Sequence, residues 1–82
     1  MNNSFFTIIS FYQFKKISNP EIFKNELKDF CKFNKIRGTI IVAKEGINGT
    51  LAGIDNVIKN LNVLLLNNGF HKLEAKYSYS KY

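Results

Sequence analysis

The 82-residue chain has a single cysteine, proline, histidine and arginine, and no tryptophan. One thiol, Cys31, excludes an internal disulfide and fits a reducing compartment. His71 has no cysteine, histidine or carboxylate cluster at ligand spacing, so no metal is expected. No apolar run approaches the roughly 20 residues that cross a bilayer. The opening MNNSFF lacks the basic-then-apolar order of a signal peptide. The expected setting is the cytoplasm, away from any membrane.

Hydrophobic residues make up 45% of the chain, with eight Phe and four Tyr, which is ample for a folded core. The length gives one domain (1–82), small enough to bury only about 60–65% of its unfolded surface. The net charge of +6 comes from eleven Lys and one Arg against six acids, and favours a polyanionic partner such as nucleic acid. The eleven Asn and ten Ile give a second reading, since AT-rich codons supply Lys, Asn, Ile and Phe together.

The apolar pattern divides into six segments. Ser4–Phe14 is apolar on its odd row (Phe5, Thr7, Ile9, Phe11) and on its even row (Phe6, Ile8, Ser10, Tyr12, Phe14). That pattern marks a strand with neighbours on both sides. After the Lys15–Ser18 loop, Ser18 and Glu21 form a capping box and Pro20 suits a first helical turn. Phe23, Leu27, Phe30 and Cys31 then trace one helical stripe to about Asn34. Lys24, Lys28, Lys32 and Lys35 trace a second, either a solvated face or a phosphate-contacting one. Thr39–Ala43 and Gly49–Gly53 flank a glycine-punctuated loop, with the chain expected to reverse at Asn48-Gly49 and Gly53 releasing it from the sheet. Asp55 is expected to cap a helix carrying Ile54, Val57, Ile58, Leu61, Leu64 and Leu65, stopped by Gly69. Phe70–Tyr79 alternates as a half-buried strand.

Strand, helix, strand, strand, helix, strand with right-handed crossovers gives an α+β fold. It is a ferredoxin-like (acylphosphatase-like) βαββαβ sandwich, a four-stranded antiparallel sheet with both helices on one face and the first and third strands central. The other face stays uncovered and should carry aromatics, either Phe5 and Phe11 or Phe6, Tyr12 and Phe14. Such a face calls for a partner.

The string Gly38–Gly53, GTIIVAKEGINGTLAG, closely resembles the signature of the rhodanese-domain tRNA uridine hydroxylases. Ala43, Glu45, Gly46, Ile47 and Asn48 match that family's A-x-E-G-I-N segment. The resemblance implies the N-terminal part of a larger rhodanese-containing protein that hydroxylates the wobble uridine of tRNA with molecular oxygen. It implies tRNA and the rhodanese domain as partners, and it leaves the catalytic cysteine in that other domain. No catalytic residue and no cofactor is expected in this chain.

The residues themselves agree. Cys31 sits on an apolar stripe, where a thiol acts as a small hydrophobe. Acylphosphatase chemistry needs an Arg in a glycine-rich loop after strand one and an Asn on strand two. Lys15–Asn19 has neither Arg nor Gly, and strand two offers Ile40, Ile41 and Val42. The candidate contact residues are Lys44, Glu45, Gly46, Ile47, Asn48 and Gly49, with Arg37, Lys15 and Lys16. They would touch tRNA or the rhodanese domain, or else only form a turn in which Glu45 caps local N–H groups. A protein-interaction module without RNA contact and a free-standing RNA binder are the other classes open to the sequence.

Overall fold

The computed structural model describes residues 5–81, and the side chains of residues 6–80. Both rows of β1 (Phe5–Phe14) are apolar, and the strand accordingly lies between two others; Ser4 falls outside the described residues. The remaining elements are α1 (Pro20–Phe33), β2 (Arg37–Ala43), β3 (Gly46–Ile54), α2 (Asp55–Asn67) and β4 (Glu74–Lys81). The sheet order is β2-β3-β1-β4 with every neighbour antiparallel, the expected ferredoxin-like arrangement.

Register sorts the side chains. Thr7, Ile9 and Phe11 pair with Gly53, Leu51 and Gly49 on one side and with Tyr79, Tyr77 and Ala75 on the other. Paired residues share a face, so this row faces the helices. Ile9, Phe11, Ile47 and Leu51 are buried there against Phe23, Leu27 and Cys31 of α1 and Ile58, Leu61 and Leu65 of α2. Phe70 closes one end, stacked on Phe23 at 5.3 Å between ring centroids.

The two helices stop by the same device. Ile36 N–H donates to Cys31 O and Lys35 N–H to Lys32 O; Phe70 N–H donates to Leu65 O and Gly69 N–H to Leu66 O. Each is a Schellman closure with a left-handed residue after the cap. Gly69 fills that place with φ +92°, as its position predicts, whereas α1 uses Lys35 at φ +58°. Asn34 and Asn68 add side-chain donors to Phe30 O and Leu64 O.

Several boundaries differ from the sequence reading. Asn19, not Ser18, caps α1: its Oδ1 accepts from Ile22 N–H at 3.4 Å. Pro20 is already the first helical residue, which leaves Ser18 one position too early. Asp55 is likewise inside α2, after Ile54 at the cap. Its carboxylate accepts from the buried Thr7 hydroxyl at 2.8 Å and pairs with Lys59 at 3.3 Å. The Thr7 bond foremost, then Lys59, holds that carboxyl below its ordinary pKa. Gly53 does not release the chain; it pairs with Thr7 inside β3, where a Cβ would press on Ile36 and Val57. β4 begins at Glu74 rather than Phe70, because Phe70 completes the closure of α2 and Lys72 N–H donates to Gln13 Oε1.

Candidate functional site

The chain reverses at Lys44-Glu45, not at Asn48-Gly49. Ala43 pairs directly with Gly46, so Gly46, Ile47, Asn48 and Gly49 are strand residues of β3. Gly46 has φ +154°, and a Cβ there would collide with the Gln13 carbonyl oxygen of β1. Gly49 needs no positive φ; a Cβ there would stand 2.8 Å from Thr39 O and 3.1 Å from Phe11 Cζ. Its lack of a side chain makes room in the core, a packing role that turn propensity does not reveal. Ile47 is buried in that core, while Asn48 is exposed on the opposite face.

The hairpin tip is tied to the loop after β1. Lys15 N–H donates to Glu45 O at 2.9 Å and Ile17 N–H to Lys44 O at 2.8 Å. Two amides of the loop that a phosphate would need are therefore committed to the hairpin. The contribution of Glu45 to the turn is its carbonyl; its carboxylate has no ion pair or hydrogen bond among the described residues.

Beside the tip lies an apolar concavity of about 530 Å³ on the open face. Tyr12, Phe14, Ile41 and Ala43 line it, rimmed by Glu45 and Asn48. Phe14 is 80% exposed, Ile41 53% and Tyr12 48%, and the two rings meet edge to face at 5.9 Å. The open row is thus Phe6, Tyr12 and Phe14, the second of the two expected alternatives. Ser10 and Thr50 interrupt it with a hydroxyl pair at 3.2 Å. Sequence reasoning missed Ile41 and Ala43, although their alternation with Ile40 and Val42 in β2 carried the signal.

The basic residues form no single cluster. Arg37 opens β2 and Lys44 follows its end, about 23 Å apart at roughly 3.3 Å per residue. Lys15 Nζ sits over the Phe70 ring, 5.5 Å from its centroid, and Lys16 is exposed. Burial raises the Cys31 thiol above its ordinary pKa, the reverse of an activated nucleophile. His71 is exposed, and no group of three potential metal ligands occurs among the described residues. No described helix is long and apolar enough to cross a membrane.

Residues 6–82 match the UPF0176 acylphosphatase-like domain. The chain belongs to that family. A relative from Acinetobacter baylyi, described as a tRNA uridine(34) hydroxylase, is 42% identical over 73 residues, 89% of this chain and 23% of the relative. Proteins of the same description from Deinococcus radiodurans and a Wolbachia of Brugia malayi are 41% identical over 73 residues and 40% identical over 78. These cover 89% and 94% of this chain, and 24% and 29% of the relatives. The UPF0176 domain here thus spans about a quarter of the length of the curated relatives it matches.

Proposed function

We propose that this chain is a non-catalytic domain of a tRNA wobble-uridine hydroxylase, and that its open sheet face docks on the remainder of that protein, a rhodanese domain. The observation that carries this is the cluster of Tyr12, Phe14 and Ile41, three large apolar side chains at least 48% exposed on one concave patch. Burying a Phe or Ile side chain contributes about 1.5–3 kcal/mol, so a partner covering this patch would gain a substantial anchor. The relatives supply a candidate for it, since roughly three quarters of their length lies outside the matched segment.

A free-standing RNA binder of the stacking type is less well supported. The open row of β3 is Asn48, Thr50 and Ala52, so the second central strand offers no ring to a base. The test is a chimera in which this chain replaces the matching segment of the Acinetobacter baylyi relative. The expected result is hydroxylation of uridine 34, lost when Phe14 and Ile41 are both changed to Ser, with the domain still folded. Full hydroxylation by the doubly substituted chimera would remove the docking role.

A further inference from the structure

We propose that the groove between α1 and the free edge of β2 binds the phosphate backbone of tRNA, an inference that rests on the tRNA-modifying reading above. The groove encloses about 660 Å³. Lys24, Lys28 and Lys32 line its helical wall, and Gly38, Thr39 and Ile40 its strand wall. The three lysines recur every fourth residue, which spaces them by about 6 Å along one side of the helix. Among the described residues the ion pair formed is Lys59–Asp55, so none of the three is neutralised. One acid, Asp29, also lines the groove.

The opposite wall adds donors. β2 is an edge strand, so alternate backbone N–H groups point away from β3 with no strand to receive them. Gly38, at φ +136°, is required by the approach of Thr50 O of β3, which a Cβ there would meet. Backbone N–H groups and lysines together are the donors that fix a phosphodiester chain. Cys31, Ile36 and Leu51 close the floor and are buried, which leaves no apolar slot for the side chain of a docking peptide.

The topology also accounts for the scattered basic residues. β1 and β2 run parallel, and α1 returns between them from the hairpin-tip end to the start of β2. The lysine row therefore joins the Lys16 and Lys44 end of the domain to the Arg37 end.

The experiment is titration of an unmodified tRNA transcript into the 82-residue chain over a range of salt concentrations. Lys24, Lys28 and Lys32 changed together to Ala should lower the slope of log K against log salt by roughly 2–3, at about 0.7–0.9 for each phosphate no longer neutralised. The same charge removed at Lys59, Lys72 and Lys76 should leave the slope near that of the parent, and Asp29→Asn should tighten binding several-fold. Thermal midpoints establish that each variant folds. Equal losses of affinity in the two triple variants, or no loss in the groove variant, overturn the groove. A parent chain that does not bind tRNA at low salt also overturns it, while the docking reading still stands or falls with the chimera.

Discussion

The two rows of β1 are made of the same kinds of residue and meet opposite fates. Thr7, Ile9 and Phe11 are at most 3% exposed beneath the helices, whereas Tyr12 and Phe14 stand 48% and 80% exposed on the bare face. A row that a core requires has apolar residues because folding selects them. The other row contributes little to the isolated fold, so its rings point to a surface that something else covers. The polar belt of Ser10 and Thr50 divides that face, and its apolar patch lies at the hairpin end.

Substitution can break this comparison. Ile9 is fully buried, so Ile9→Ala should cost about 2–5 kcal/mol in a denaturant titration. Phe14→Ala should cost no more than about 0.5 kcal/mol, as an ordinary surface change does. Comparable losses at the two sites would mean that the bare face stabilises the isolated domain and needs no partner.

The hairpin sharpens it next. Gly46 combines φ +154° with a blocked Cβ position, so Gly46→Ala should cost about 1–3 kcal/mol. Gly49→Ala should cost less, because its backbone needs no positive φ and its closest obstruction, Thr39 O at 2.8 Å, is less severe than the Gln13 O that blocks Gly46. The reverse order would place the strained backbone at Asn48-Gly49 after all. A smaller and opposite effect is expected at the end of α1. Lys35→Gly should stabilise the domain by up to about 1 kcal/mol by giving its left-handed position the residue that α2 already has in Gly69. A lower melting temperature in Lys35→Gly would count against this.

These sites also show what the sequence could carry. Periodicity located all six elements, because Ile9 and Phe11, or Leu27 and Cys31, must share a face wherever their element begins. Turn chemistry misplaced the reversal. Asn-Gly is a strong hairpin signal, but with the turn at Lys44-Glu45 the residues Ile47 and Leu51 share the helix-facing row and β3 matches β1 nearly end to end. Burial of two large side chains outweighs a local turn preference. The site was half legible: the Glu45–Asn48 segment does border the apolar patch, yet Arg37 was grouped with Lys44 only because both flank β2 and carry the same charge. Strand length separates them, and no local pattern displays the groove that α1 and the β2 edge build between them.

The smallest expected effect on stability belongs to Glu45. Its carboxylate makes no ion pair or hydrogen bond among the described residues, and the turn uses its carbonyl, which any residue supplies. Glu45→Gln keeps the shape and removes only the charge, so the melting temperature of the 82-residue chain should stay within about 1 °C, a shift that corresponds to roughly 0.1–0.25 kcal/mol at this size. The same carboxylate rims the patch formed by Tyr12, Phe14 and Ile41, where a docked partner would desolvate it and have to meet it with a donor. In the chimera, Glu45→Gln should therefore reduce hydroxylation while the domain folds as before, and the deficit should not grow when Phe14 is also replaced, because both changes act through one interface. A lowered melting temperature with full activity per folded molecule would assign Glu45 to the fold instead, and the apolar patch would lose the one charged group that rims it.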